Sequence, residues 1–170
     1  HDVSMLAIAP LTSMFFAGKA SPPRDDYRPE IHDSDGLYLA TGKGERIWRP
    51  LANPSALAVT SFGDTNPRGF GLMQRERDFA QYQDSAASQQ KRPSLWVEPI
   101  GDWGDGEVRL VEIPSKSETN DNVVAFWKSR WPAKQGNRLD YRYRLSALSD
   151  EADLAPLLGR VIATRAGAVP

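Results

Sequence analysis

Cysteine is absent from the 170 residues of this chain. Neither a disulfide framework nor a thiolate metal site can therefore form, although this absence fits both the cytoplasm and a bacterial periplasm. The chain also lacks an apolar run near the roughly 20 residues that a membrane-spanning helix needs. Its longest apolar stretch, residues 5–18, is interrupted by proline, threonine and serine, and it lacks the basic residues that open a signal peptide.

An excess of either charge is missing as well. The 21 basic residues are balanced by 22 acidic residues, which gives a formal net charge of -1. Nucleic-acid binding needs a basic excess or a basic face, and no cluster of lysine and arginine stands out. We therefore expect no nucleic-acid partner, and the composition, with 40% hydrophobic and 25% charged residues, is that of a globular protein.

Alternation of apolar and polar residues predicts β-strands over much of the chain. Residues 139, 141, 143 and 145 are apolar or aromatic and alternate with polar residues, which is the period-2 pattern of a half-buried strand. Residues 108–113 alternate in a similar way, with one face buried and the other mixed. Further strands are predicted at residues 14–17, 37–41, 46–49, 57–62, 95–98, 123–128 and 159–164.

Turn signals separate these strands at short intervals. They lie at residues 35–36, 42–44, 53–54, 66–67 and 104–106, and each contains glycine or proline. One helix is predicted, at residues 76–87, and its few apolar residues indicate a surface turn of helix at best. Turns spaced this closely predict an all-β sandwich or barrel.

Two acidic segments contain candidate catalytic residues. The first, His-Asp-Ser-Asp-Gly at residues 32–36, holds two carboxylates and an imidazole that could supply acid–base chemistry. It could also form a turn in which Asp33 or Asp35 accepts backbone amides, and spacing alone favours the turn. The second, residues 118–122, places Asp121 just before a predicted strand. That acid could face a cleft, but spacing alone again favours a turn residue.

The five tryptophans lie mostly beside charged residues, at positions 48, 96, 103, 127 and 131. Indole rings near carboxylates and arginines suit the apolar C–H faces of sugars. Tryptophan is equally common as core material in a β-sandwich, and the composition favours neither explanation. Paired carboxylates among tryptophans would fit glycoside hydrolysis, in which one acid protonates the leaving oxygen and another activates water.

A series of short sequence blocks stands in the order found in one known family. The blocks are residues 28–37 (RPEIHDSDGL), 48–51 (WRPL), 66–72 (NPRGFGL), 75–79 (RERDF), 82–84 (YQD), 92–99 (RPSLWVEP), 101–104 (GDWG), 110–114 (LVEIP), 118–122 (ETNDN) and 125–127 (AFW). On these blocks the chain resembles the OpgG/OpgD family, also called MdoG/MdoD, from about residue 9 to residue 164.

The resemblance implies a protein of the periplasm that acts on osmoregulated glucans with a β-1,2-linked glucose backbone. Members of this family are longer, with a large N-terminal β-sandwich similar to sugar mutarotases and a smaller immunoglobulin-like domain. We therefore expect an all-β fold in which residues 1–170 form the C-terminal part of a galactose-mutarotase-like antiparallel sandwich. This truncated sandwich would end near the linker to the second domain.

The resemblance also implies catalytic roles, because some members look like inverting β-1,2-glucanases. The Asp of the Thr-Asn-Asp-Asn motif, here Asp121, would be the general acid, and the first Asp of His-Asp-Ser-Asp-Gly, here Asp33, the general base. An inverting enzyme keeps the two far enough apart to admit a water molecule. The acid must also keep its proton near neutral pH, and Glu118 is the neighbouring acid in the sequence that could help.

Further residues are expected to bind the substrate, and these are Arg92, Thr119, Asp35, Trp96 and Glu98. Arg92 and Thr119 match positions that line the cleft of the family. Gln89 stands where the family usually has a tyrosine, three residues ahead of the arginine, and loss of that phenol could weaken sugar binding or proton relay. No cofactor and no metal site is expected.

Three functions remain open at this level. The first is an inverting hydrolase of β-1,2-glucan, and the second is a non-catalytic scaffold that receives the glucan from a membrane synthase. A structural β-domain without a sugar role is the third, and a homodimer is compatible with each. We also predict that the chain alone is inactive and poorly folded, because missing strands would leave the apolar face of residues 139–145 uncovered.

Overall fold

The computed structural model describes residues 3, 5–19, 21, 25–149 and 154. Within these residues the chain forms strands β1 (Ile8–Ser13), β2 (Phe15–Ala17), β3 (Ile31–His32), β4 (Gly36–Ala40), β5 (Arg46–Pro50), β6 (Ala58–Thr65), β7 (Gly69–Met73), β8 (Ser94–Ile100), β9 (Asp105–Glu112), β10 (Val123–Ser129) and β11 (Arg142–Leu148). A short helix, α1 (Phe79–Tyr82), and a 3-10 turn at Gln89–Lys91 lie between β7 and β8.

The strands pair into two antiparallel sheets that face each other. One sheet has the order β1-β10-β9-β6, and the other has the order β11-β8-β7-β4-β5. β2 and β3 form a small two-stranded ladder beside them. The predicted all-β antiparallel sandwich is therefore confirmed. The strands predicted between residues 14 and 128 are confirmed as well, with bounds that differ by a few residues.

The core fills the space between the two sheets. Its buried side chains come from the inward positions of both sheets and include Leu37, Leu39, Phe70, Leu72, Val97, Val108, Leu110 and Ala125. Trp103 and Trp127 belong to this core, with ring centroids 6.1 Å apart. For these two tryptophans the packing explanation is the one that the structure supports.

The outer face of the five-stranded sheet holds a second aromatic cluster. Trp96 and Tyr38 are buried there with ring centroids 5.6 Å apart, and Trp48 packs at the edge of the cluster. The indole of Trp96 lies so close to Gly69 of β7 that a Cβ at that position would stand 2.1 Å from Trp96 Cζ2. Glycine in β7 therefore makes room for the ring.

Strands β1 and β7 were not predicted, for different reasons. All five residues of β7 are buried, because β7 is a central strand that is covered on both faces. A strand of this kind shows no alternation of polar and apolar residues. In β1 the ladder to β10 shifts register between Ile8 and Leu11, so the alternation is interrupted.

The helix predicted at residues 76–87 is much shorter in the structure. Asp78 caps the start of α1, because its carboxylate accepts the Ala80 backbone N–H at 2.9 Å. Gln83 ends the helix in the left-handed conformation with φ 52°. A hydrogen bond from its backbone N–H to the Phe79 carbonyl closes the last turn.

The alternating segment that ends in β11 is also corrected. The strand exists, but it begins at Arg142, and its alternate apolar residues are not half-buried. Tyr143 and Leu145 are 42% and 54% exposed, on a strand that lies at the edge of its sheet. Tyr141, just before the strand, packs against the core, and the Tyr143 ring makes an edge contact with Trp103 at a centroid distance of 6.2 Å. The strand predicted at residues 159–164 lies outside the described residues.

Among the described residues, no helix has the length and apolar character needed to cross a membrane.

Candidate functional site

The end of strand β1 brings the two catalytic candidates together. The Thr12 hydroxyl donates a hydrogen bond to Asp121 Oδ2 at 3.2 Å. The carbonyl of Met14, two residues further on, accepts the backbone N–H of Asp33 at 2.9 Å. Asp33 and Asp121 are 88 positions apart in the sequence, yet both are held at the same short turn between β1 and β2.

Asp33 lies between an arginine and the other acid. Arg92 Nε is 3.3 Å from Asp33 Oδ1, and the Asp33 side chain is 28% exposed. Burial raises the pKa of Asp33, the charge of Arg92 opposes that shift, and the charge of Asp121 adds to it. The opposing positive charge favours the ionised carboxylate, while burial and Asp121 make that carboxylate more basic than an ordinary aspartate.

Asp35 points to a different part of the same end of the sandwich. Its Oδ2 accepts the backbone N–H groups of Arg75 and Glu76 at 3.2 and 3.1 Å. Its own N–H donates to the Met73 carbonyl at 2.8 Å. Burial raises the pKa of Asp35, and these backbone hydrogen bonds oppose that shift. Asp35 therefore connects the start of β4 to the loop that follows β7, through bonds to residues 40 and 41 positions away rather than through the local turn that spacing favoured.

The loop before Asp121 is anchored by Arg28. The Arg28 guanidinium contacts carboxylates of Asp26 at 2.8 Å, Asp84 at 3.0 Å and Glu118 at 2.7 Å. Glu118 is therefore paired with an arginine, and the structure does not support its suggested role as the acidic neighbour of Asp121. Thr119 is exposed in this loop, where its hydroxyl shares a 2.7 Å hydrogen bond with Ser117.

A buried polar layer lies directly behind Asp33. His32 is fully buried, with Nε2 2.7 Å from Glu30 Oε2 and Nδ1 3.0 Å from Gln74 Oε1. The Gln74 amide nitrogen directs its two N–H groups toward three acceptors, the His32 carbonyl, Tyr82 Oη and the Gln89 carbonyl. These donations fix the orientation of the amide, so that Nδ1 of the imidazole must be the donor to Gln74.

Gln89, the residue in place of the usual family tyrosine, belongs to this layer. Its side chain is 2% exposed, so it does not extend into the space beside Arg92. The Gln89 carbonyl accepts a hydrogen bond from Gln74, while its side-chain Oε1 is buried without a hydrogen-bond partner among the described residues. An amide in this position therefore leaves one polar atom unsatisfied.

Trp96 and Glu98 lie on β8, on the outer face of the five-stranded sheet. Trp96 is only 6% exposed and packs beside Tyr38. Glu98 is exposed and forms an ion pair of 2.9 Å with Arg144 of β11. Among the described residues, the ring contacts and ion pairs of these two residues do not involve Asp33 or Asp121, whereas Arg92, just before the same strand, contacts Asp33.

Sequence reasoning missed the residues that hold the acids in place. Thr12 and the buried Asn122 are the clearest examples, since Asn122 bonds to the backbone of Phe15, 107 positions away. Asn122 stands inside the ETNDN block, but spacing along the chain does not reveal a contact of this range. No cluster of three or more metal-ligating side chains is present in the part of the chain that the structure describes.

The architecture defines a class, an antiparallel β-sandwich protein with a pair of acids and an arginine at one end of its sheets. A family model described as "Periplasmic glucan biosynthesis protein, MdoG" matches residues 1–170. The chain therefore belongs to the MdoG family of periplasmic glucan biosynthesis proteins, and the resemblance seen in the sequence is confirmed.

Curated relatives with the name glucans biosynthesis protein G are similar to this chain. The protein from Vibrio cholerae is 55% identical over 146 residues, which cover 85% of this chain and 27% of the relative. The protein from Ralstonia nicotianae is 54% identical over 166 residues, which cover 97% of this chain and 33% of the relative. The chain thus spans between a quarter and a third of the length of these relatives.

Proposed function

We propose that this chain is part of a periplasmic β-1,2-glucan hydrolase that works with inversion. Asp121 is the general acid in this proposal, and Asp33 is the general base. The full-length protein would then comprise the rest of the sandwich and a second domain, as the length of the curated relatives supports. Membership of the MdoG family supports glucan as the substrate class.

The observation that carries the proposal is the shared anchoring of the two acids at the end of β1. Thr12 bonds Asp121, and Met14 bonds the backbone of Asp33. In inverting glycosidases the acid and the base flank one linkage at roughly 6.5–9.5 Å, which leaves room for the attacking water. The two acids are close enough for the charge of one to act on the pKa of the other, and this proximity suits that arrangement.

The environment of Asp33 suits a base. A general base is most effective when its pKa approaches the working pH, so that it is ionised but still able to take a proton. Burial raises the pKa of Asp33, and Arg92 limits the rise. Arg92 is half exposed and could also bind a sugar hydroxyl, and exposed Thr119 could do the same from the neighbouring loop.

A second function is a glucan-binding scaffold that assists a membrane glucan synthase. It is favoured by the exposed position of Asp121 and its hydrogen bond with Thr12. An exposed carboxylate beside an accessible arginine can hold sugar hydroxyls without cleaving the glucan. A homodimer is compatible with either function, and a measurement of the oligomeric state in solution tests for it.

The test compares hydrolysis of linear β-1,2-glucan by the full-length protein and by its D121N and D33N variants. We expect both variants to lose between about 100-fold and 10,000-fold of the rate, as general acid–base catalysis predicts. Glucan binding should persist in both. Asp102→Asn serves as the matched control, because Asp102 is exposed in the loop between β8 and β9 at the opposite end of the sandwich.

Anomeric proton NMR of the first products distinguishes the mechanisms. Inversion predicts that the newly released reducing ends appear first as the α-anomer. Early β-anomer would contradict the proposed roles of the two acids. Wild-type protein that binds the glucan without releasing reducing ends would favour the scaffold.

A further inference from the structure

Asn122, next to Asp121, makes three hydrogen bonds to backbone groups. The side chain is 2% exposed. Its Oδ1 accepts the Phe15 N–H at 2.8 Å, and its Nδ2 donates to the Phe15 carbonyl at 2.9 Å and to the Ile113 carbonyl at 3.0 Å. The Asn122 amide therefore uses both of its donors and its acceptor to join the turn after β1, the end of β9 and the start of β10.

The segments that Asn122 joins are the ones that carry the two acids. Phe15 directly follows Met14, whose carbonyl holds the backbone of Asp33. The Phe15 ring also stacks on His32, the residue before Asp33, with centroids 5.3 Å apart and planes at 6°. One buried amide thus links the backbone beside Asp121 with the backbone and the ring that position Asp33.

We propose that Asn122 is a positioning residue that sets the separation of Asp33 and Asp121. This inference rests on the proposed function, because the separation matters for catalysis only if the two acids act on one linkage. Catalytic groups need to be held within about 0.5 Å of their productive positions. Asn122 contributes no atom to the reaction in this proposal, and its effect is transmitted through the backbone.

Asn53 provides a matched control for this inference. Its Nδ2 donates to the Phe16 carbonyl at 3.2 Å and to the Ser115 carbonyl at 2.8 Å, and its Oδ1 accepts the Ser115 N–H at 2.9 Å. Asn53 therefore ties the same two segments with the same chemical group, but further along the chain from both acids. Loss of either amide removes three hydrogen bonds of similar length.

The first measurement is steady-state hydrolysis of β-1,2-glucan by full-length N122A and N53A, well below the melting temperature of each variant. A displacement of about 1 Å at a catalytic group can cost about 100-fold in rate. We expect kcat of N122A to fall by about that factor while its KM changes little. Both constants of N53A should stay close to those of the wild type. Equal losses of kcat in the two variants would overturn the inference.

The second measurement does not depend on activity. In crystal structures of the full-length variants, the separation between the carboxyl groups of Asp33 and Asp121 should change by more than about 0.5 Å in N122A. It should stay the same in N53A. If the wild-type protein does not hydrolyse glucan, the proposed function fails. The inference about separation is then judged by these structures, and an unchanged separation in N122A overturns it.

A milder variant covers the case in which N122A does not fold. In Asn122→Ser a hydroxyl can replace at most some of the three hydrogen bonds, so a smaller displacement and a smaller loss of kcat are expected. If both the separation and kcat of N122S equal those of the wild type, the positioning role is rejected.

Discussion

Substitution of Gly69 by alanine tests the close packing of Trp96 on strand β7. The added Cβ would stand 2.1 Å from Trp96 Cζ2 and 2.6 Å from Cε2, far inside van der Waals contact. Trp96 is 6% exposed and packs against Tyr38, so the indole cannot move without losing contacts. The strand and the ring must therefore shift apart in the G69A protein.

The magnitude follows from two opposing effects. Overpacking a buried site typically costs about 1–3 kcal/mol. Gly69 does not have a positive φ, so the lower entropy of the unfolded alanine chain returns about 0.4–1 kcal/mol. We expect a net loss of about 1–2 kcal/mol in the free energy of unfolding. In a domain of 150–250 residues each kcal/mol corresponds to about 2–4 °C in the melting temperature, and the larger full-length protein should show a smaller shift.

Calorimetry of the full-length protein, in single and double variants, measures this effect. Gly63→Ala is the matched control, because a Cβ at Gly63 of β6 meets no atom within 4 Å. In a W96L background the cost of G69A should shrink, since the atoms that clash are gone. If G69A melts like the wild type, or costs as much in the W96L protein as alone, the argument about the ring is refuted.

Three further predictions concern charge and stability. Burial raises the pKa of Asp33 above 3.8, so ionising this carboxyl in the folded protein costs stability as the pH rises. The D33N variant should therefore melt higher than the wild type at pH 7 and at the same temperature below pH 3.8. An equal gain at both pH values would contradict this. The R28Q variant loses three ion pairs, including the pair with Glu118, and its free energy of unfolding in urea should fall by about 2 kcal/mol. A negligible fall would mean that these pairs behave as ordinary surface pairs. The isolated 170-residue chain should lack native-like near-UV circular dichroism, since Tyr143 and Leu145 are exposed; a cooperative thermal transition with such a spectrum would refute that.

The fold could be predicted well where one face of a strand is buried and the other is not. In β9 the inward residues Val108, Leu110 and Glu112 are buried, and alternation along the sequence identified them correctly. The same rule missed β7, which is covered on both faces, and it misjudged β11, whose apolar residues Tyr143 and Leu145 are mostly exposed. Periodicity describes a strand but does not identify the neighbour that covers it.

For the site, the sequence supplied the residue types and the family, but not the contacts. The HDSDG and ETNDN blocks identified Asp33 and Asp121 as candidates, and Arg92, expected to bind the substrate, forms an ion pair with Asp33. Trp96 and Glu98, also expected to bind the substrate, lie on the outer face of the sheet, where Trp96 packs with Tyr38 and Glu98 pairs with Arg144. Arg92 precedes β8, and a strand advances about 3.3 Å per residue, so Glu98 lies up to about 20 Å further along the chain and neighbours in one block need not share a site.

What the sequence by itself determined is the class of fold, the positions of most strands and the membership of a glucan biosynthesis family. Only the tertiary structure decided that Thr12 bonds Asp121, 109 positions away, and that Asn122 bonds Phe15, 107 positions away. The physical reason is that strand pattern and turn chemistry act over a few neighbouring residues. The site depends instead on the pairing of β1 with β10, which aligns residues as far apart in the sequence as Thr12 and Val124.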